Sequence, residues 1–257
     1  MLNRLYSTLL AVTVTLSAVA CNGGGGGSDD GDPCGALKIA GGQGCDAPPN
    51  ALAIVSSSSG YCSGTFITTR HVLTAAHCVE GSGPYSIETS VLYTSVQRIQ
   101  VHPQYNPAAT SSEYDVAVLT IASNAPVSPV PLEESVPVAV GDQVVTYGFG
   151  LDQDGNSAYQ RYLDGEAPLK ATYLDVASVS DFSINTISDG SGDTCAGDSG
   201  GPALRTGSDG SYGIVALTRY GPLACEPYQP YQSENTNVQA SSILNFIKGA
   251  APGVTIR

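Results

Sequence analysis

No stretch constrains this chain as tightly as Gly197-Asp198-Ser199-Gly200-Gly201-Pro202, near its C-terminal end. Glycines on both sides of one serine let the backbone turn sharply and leave the hydroxyl uncovered. Backbone N–H groups beside that serine can then point at a developing negative oxygen. A serine hydroxyl is a weak nucleophile until a base takes its proton, so such a turn calls for a histidine elsewhere. The chain has three: His71, His77 and His102. Taken singly, a histidine is more often structural than catalytic, and His71 and His102 are read that way. Only His77, in Leu73-Thr74-Ala75-Ala76-His77-Cys78, has a context that matches the serine turn.

The surrounding sequence predicts strands. Short apolar runs separated by Gly, Pro, Ser and Asn recur throughout, as in Gln143-Val144-Val145-Thr146-Tyr147-Gly148-Phe149-Gly150, and this is the signature of an all-β fold. From Ile39 onward the chain is long enough for one large all-β unit or two small barrels sharing an interface. One helix is expected, Val238–Lys248, where Leu244 and Ile247 share a face with Ala240 and Gly249 follows as a stop. The net charge of −13 argues against nucleic-acid binding, which depends on basic residues. It suits the solubility of an exported protein.

The N-terminal region is of another kind. Arg4 precedes an apolar run from Leu5 to Ala20 that is short for a membrane span. With the small residues Ala18-Val19-Ala20 it reads as an export signal over residues 1–20. Cys21 follows where a bacterial lipoprotein carries its lipid-modified cysteine, although Ala18 stands where leucine is usual. Plain secretion is the alternative. Asn22–Asp32, rich in Gly and Asp, reads as a flexible tether. Seven cysteines is an odd number; with Cys21 lipidated, six remain for three disulfides in an exported chain. These six lack the paired short spacings of zinc sites, so no metal is expected.

The segments around His77 and Ser199, with Tyr114-Asp115-Val116-Ala117-Val118-Leu119 between them, resemble the trypsin-like (chymotrypsin-fold) serine proteases. The order His, Asp, Ser along the chain is that family's order, and other folds with the same triad use different ones. The resemblance runs from about Ile39 to the C-terminus. It implies two antiparallel six-stranded β-barrels, about residues 39–138 and 139–257, with a C-terminal α-helix and the active site in the cleft between the barrels. It implies an endopeptidase acting on protein or peptide substrates as a monomer without a cofactor. Ser199 would be the nucleophile and His77 the base. Asp115, carried into the interior by a strand, would orient the imidazole. The N–H groups of Gly197 and Ser199 would form the oxyanion hole.

The same resemblance assigns further residues. Cys62 pairs with Cys78 beside the histidine, and Cys195 with Cys225 around the specificity pocket. Cys34 and Cys45 are left over. They straddle Ile39 and are expected to pair, which would keep a cut propeptide (residues 21–38, tether included) attached. Leu37-Lys38-Ile39-Ala40-Gly41-Gly42 looks like the family's activation junction, with Ala40 in place of the usual valine. Cleavage after Lys38 would free the Ile39 amine to pair with Asp198. Asp193, six residues before Ser199, takes the position of the pocket floor and implies cleavage after Lys or Arg.

The pocket walls stay open between two alignments. In one, Tyr220-Gly221 forms the mouth and Arg219 replaces a serine expected near Asp115, where its guanidinium would either pair with that carboxylate or swing to solvent. In the other, Thr218 narrows the mouth. Ser233 is the candidate far wall. A competing function of a different class is a binding module or adhesin on the same fold, its activity lost through Arg219 or a blocked pocket.

Overall fold

A computed structural model describes residues 51–89, 91–109, 113–151, 170–188, 192–206, 211–221, 225 and 232–257. The export signal, Cys21, Cys34, Cys45, Lys38 and Ile39 lie outside them. The described strands form two closed barrels of six antiparallel strands each. The first comprises β1 (Leu52–Ser57), β2 (Gly60–Phe66), β3 (His71–Thr74), β4 (Ser86–Thr89), β5 (Leu92–Val101) and β6 (Ala117–Ile121). The second comprises β7 (Gln143–Gly148), β8 (Lys170–Val179), β9 (Ser183–Ile187), β10 (Pro202–Thr206), β11 (Tyr212–Tyr220) and β12 (Gln232–Asn237).

Both barrels close through non-sequential neighbours. β1 pairs with β4 as well as β2, and β10 pairs with β7 as well as β11. Closure removes the free sheet edges that would otherwise invite pairing with other chains. Ile54, Phe66, Leu73, Ile87 and Leu119 fill the first barrel, and they belong to one buried cluster with Tyr147, Phe149, Leu204, Ile214 and Leu217 of the second. The far end of the second barrel has its own smaller core, including Val144, Leu174, Val176, Ile184 and Val215. Apolar packing therefore runs continuously across the barrel interface, which is what fixes the relative position of side chains drawn from both halves.

The last element, α1 (Ser241–Ala250), starts three residues later than the sequence pattern predicts and passes through Gly249. Val238 N–H continues the sheet by donating to Val215 O. Gln239 N–H donates to Asn237 Oδ1, a side-chain turn that competes with helix. Helix formation therefore begins only after Ala240. Ile243, Leu244, Ile247 and Ala250 form its buried face. The linker between the barrels holds the C-terminus, with Leu132 N–H donating to Thr255 O and Arg257 N–H to Leu132 O.

Candidate active site

His77 opens a one-turn 3-10 helix after β3, and Asp115 lies two residues before β6. Asp115 is thus delivered by a turn rather than by the strand itself. Tyr114 makes that turn at φ 60°, an uncommon conformation for a residue with a side chain. Val116 N–H closes the turn onto Tyr114 O at 2.8 Å, while the Tyr114 ring stacks on His102 at 4.6 Å. The carboxylate of Asp115 ends up 1% exposed. One oxygen accepts the His77 main-chain N–H at 2.9 Å and the other meets His77 Nδ1 at 2.7 Å. Two bonds to one residue fix the ring's position and favour the tautomer protonated on Nδ1, and Nε2 lies 3.7 Å from Cys78 Sγ. From the second barrel, Thr236 Oγ1 donates to Asp115 O at 3.1 Å.

The serine turn is held against the first barrel by a residue with no motif of its own. Ser63 N–H donates to Ser199 O at 2.8 Å. Ser63 Oγ donates to Gly197 O at 2.9 Å and accepts Phe149 N–H at 3.0 Å. Gly200, at φ +79°, approaches so closely that a Cβ there would stand 2.1 Å from Thr74 Oγ1. Disulfide Cys62–Cys78 lies between histidine and serine: Cys78 Sγ is 3.7 Å from both His77 Nε2 and Ser199 O. Among the described residues no hydrogen bond joins Ser199 Oγ to His77.

Main-chain donors around the serine divide into two sets. Asp198 N–H donates to Cys195 O, Gly200 N–H to Thr218 O and Gly201 N–H to Asp198 O. The N–H groups of Gly197 and Ser199 have no acceptor among the described residues. Asp198 itself is fully buried, one oxygen accepting Gly150 N–H and the other Cys195 N–H, each at 2.8 Å. Gly148 and Gly150 make room for it: a Cβ on either would fall within 2.6 Å of the carboxyl group. Sequence reading treated those glycines only as strand residues, because the group they accommodate is distant along the chain.

Asp193 is 2% exposed. Its Oδ1 accepts Thr194 N–H at 2.7 Å and Ser233 Oγ–H at 2.8 Å, while Oδ2 has no partner among the described residues. Burial pushes the carboxyl above its usual range, and the bonds from Ser233 and Thr194 pull part of the way back. Gly221 abuts the same hydroxyls, where a Cβ would meet Thr194 Oγ1 at 2.5 Å and Ser233 Oγ at 3.4 Å. Cys195–Cys225 forms the neighbouring disulfide. Tyr220 is largely exposed.

β11 carries an irregularity between Thr218 and Tyr220, so each of the two alignments describes part of this segment. Gly221 borders the Asp193 site, Thr218 packs on the serine turn through its main chain, and Arg219 is the additional residue between them. Its guanidinium does not swing to solvent; it lies at the limit of ion-pair distance from Asp115 and bonds a second carboxylate. It is 12% exposed, bonded to Glu234 at 2.7 Å and 4.0 Å from Asp115 Oδ2. Glu234 is a participant that sequence reasoning did not identify.

The other histidines have structural surroundings. His71 Nδ1 bonds Thr68 Oγ1 at 2.7 Å. Buried His102 accepts Gln104 N–H and meets Phe246 edge-on. Burial is the main cause lowering the pKa of both. Cys62, His77 and Cys78 place three donor atoms within 4.8 Å of one another, but the two sulfurs are bonded to each other and offer no thiolate for a metal.

Known proteins resemble this chain in sequence and in fold. The Trypsin family model matches residues 39–234. A protein named trypsin from Saccharopolyspora erythraea is 26% identical over 72% of this chain and 86% of its own. A chymotrypsin-like elastase family member 1 from Bos taurus is 30% identical over 66% of this chain and 72% of its own. Neuropsin, a serine protease of mouse brain, superimposes with a TM-score of 0.61 at 21% identity, covering 75% of this chain and 91% of that one. A family match across most of the sequence, on a pair of closed six-stranded barrels, makes this chain a member of the trypsin family of serine-type endopeptidases.

Proposed function

We propose that the protein hydrolyses peptide bonds after lysine or arginine through an acyl-enzyme on Ser199. Ser199 Oγ attacks the scissile carbonyl as His77 Nε2 takes its proton. Asp115 accepts the hydrogen bond from Nδ1–H and stabilises the imidazolium without taking its proton; the proton that Nε2 took from Ser199 then goes to the leaving amine. Water repeats the sequence on the acyl-enzyme. The free N–H groups of Gly197 and Ser199 would receive the tetrahedral oxyanion, each such donor contributing roughly 3 kcal/mol to barrier reduction. The observation that carries the mechanism is the double hydrogen bond from Asp115 to His77, because a buried carboxylate so engaged has the ring as its partner.

The preference for basic residues rests on Asp193 Oδ2, a buried acceptor with no donor among the described residues. A lysine or arginine side chain would supply both a donor and a counter-charge, whereas an apolar side chain would leave the oxygen unpaired. Elastase relatives make this point worth a direct comparison.

Synthesis as an inactive precursor follows from the same proposal. Cleavage after Lys38 frees the Ile39 amine, which pairs with buried Asp198 and orders the serine turn. Loss of one partner of such a pair costs about 3–5 kcal/mol. Export by the N-terminal signal, with lipid attachment at Cys21, agrees with the two disulfides, which persist in oxidising compartments.

The test is hydrolysis of matched esters ending in lysine, arginine and alanine, before and after cleavage at Lys38, alongside phosphonate labelling of Ser199. Labelling with strong preference for the basic esters, only after cleavage, is expected. Equal turnover of the uncut form refutes the precursor reading. Preference for alanine refutes the pocket reading, and turnover without labelling refutes the triad.

A further inference from the structure

Arg219 enters the catalytic corner as a residue with no counterpart across the sheet. β11 and β12 keep register from Ala216 opposite Asn237 to Thr218 opposite Asn235, then resume with Tyr220 opposite Glu234. An extra residue of this kind re-aims its side chain. Here the guanidinium turns inward: Nη1 donates to Glu234 Oε1 at 2.7 Å, and Nε stands 4.0 Å from Asp115 Oδ2. That oxygen is the one bonded to His77 Nδ1 at 2.7 Å. At 4.0 Å the guanidinium is beyond hydrogen-bond reach of Asp115, but a small rotation would bring it in.

A guanidinium this buried requires an anion, and two carboxylates flank it. Glu234 is 38% exposed and Asp115 is 1% exposed. Tyr105, which borders the same cluster, is no rival anion. Burial and its bond to Glu80 push its phenol well above the usual range, so it stays a neutral donor to Glu80 Oε1.

The geometry points to Glu234 as a positioning residue that restrains Arg219, holding the guanidinium at ion-pair distance from Asp115 but short of a hydrogen bond, so that the hydrogen bond Oδ2 accepts is the one from His77. This rests on the triad reading above. When Ser199 attacks, His77 gains a proton and a positive charge that Asp115 must stabilise. A guanidinium bonded to the same oxygen would repel the imidazolium and weaken the Nδ1–H bond. With Glu234 in place the charges alternate from Glu234 through Arg219 and Asp115 to His77. Without it, Asp115 becomes the only carboxylate of the two left for Arg219.

The inference predicts a sign that an ordinary stabilising pair would not give. In the full chain cleaved after Lys38, Glu234→Gln lowers kcat on a lysine ester about tenfold, a fraction of what general-base catalysis supplies, with KM little changed. In an Arg219→Ala background the same substitution changes kcat by less than about twofold, because the released cation is gone. The proton on His77 Nδ1, read by NMR, moves upfield in Glu234→Gln and returns in the double variant; this readout needs no turnover. A loss of the same size with and without Arg219, or a His77 proton that ignores Glu234, overturns the restraint. Ser199→Ala separates the two levels of the argument. Hydrolysis surviving that change overturns the triad reading, whereas hydrolysis that needs Ser199 but is indifferent to Glu234 overturns only the restraint.

Discussion

Asp115 and Asp193 are both buried carboxylates in the same cleft, yet they are provided for in opposite ways. Asp115 receives the N–H and Nδ1 of His77 on separate oxygens and has Arg219 nearby. Asp193 concentrates its donors on Oδ1, and among the described residues Oδ2 has none. One carboxylate has donors on both oxygens; the other, in the proposed function, is completed by the substrate. An unpaired buried oxygen costs about 1–3 kcal/mol, so its retention suggests that a ligand supplies the missing donor. Under the proposed function this difference separates a carboxylate that serves the catalytic histidine from one that serves recognition.

The strongest attempt to break this contrast is Asp115→Asn. The amide preserves shape but presents a donor where Nδ1–H needs an acceptor, trapping the wrong tautomer. A loss in kcat of about 10⁴-fold is expected, with KM nearly constant. Steady-state kinetics on a lysine ester checks it, and a loss under about tenfold would show that Asp115 is not the group completing His77.

Asp193→Ser comes next in size and should act on selectivity instead. The ratio of kcat/KM for lysine over alanine esters should fall about 10²–10³-fold, the range for losing a charge-assisted partner in a buried site. Phosphonate labelling of Ser199 should persist. The pH dependence follows from the same carboxyl. Burial holds its pKa above the usual value, so on acidification it is protonated before an ordinary carboxylate would be. KM for the lysine ester should therefore rise at a higher pH than an exposed aspartate would give, while KM for the alanine ester stays level. Parallel KM curves for the two esters would remove Asp193 from recognition.

These two sites also differ in how far the sequence revealed them. Ser199 and His77 were legible because their constraints are local: a turn demands glycines, and a histidine precedes its disulfide cysteine. The all-β class was legible from the short apolar runs, whereas the two barrels came from the family resemblance, since closure depends on strand tilt and shear that no local pattern states. Partners drawn from distant strands were not. Ser63, which ties the serine turn to the first barrel, is one buried polar residue within an ordinary strand pattern. Gly148 and Gly150 look like strand punctuation until Asp198 is seen against them. Glu234 meets Arg219 only because β11 gains a residue, and no one-dimensional pattern announces a bulge. The helix start was misplaced for a related reason, a single Asn237 side chain capturing a backbone donor.

The smallest effect, on stability, discriminates best because the two aspartates should give opposite signs. Asp115→Asn removes an acceptor from two satisfied bonds and should lower Tm by several degrees, given 1–3 kcal/mol per lost partner and about 2–4 °C per kcal/mol in a domain of this size. Asp193→Asn removes an incompletely paired charge and should raise Tm by a few degrees at neutral pH. A carboxyl whose pKa is raised by folding binds its proton more tightly in the folded state, so its ionised form costs stability at all pH above that raised value. The gain from Asp193→Asn should therefore be full at neutral pH, shrink as acid passes through the folded pKa, and vanish below the unfolded value of about 3.9. Thermal melts of the two variants across pH provide the measurement. A destabilised Asp193→Asn at neutral pH would mean that Oδ2 is satisfied within the folded protein after all, and the distinction between the two carboxylates would collapse.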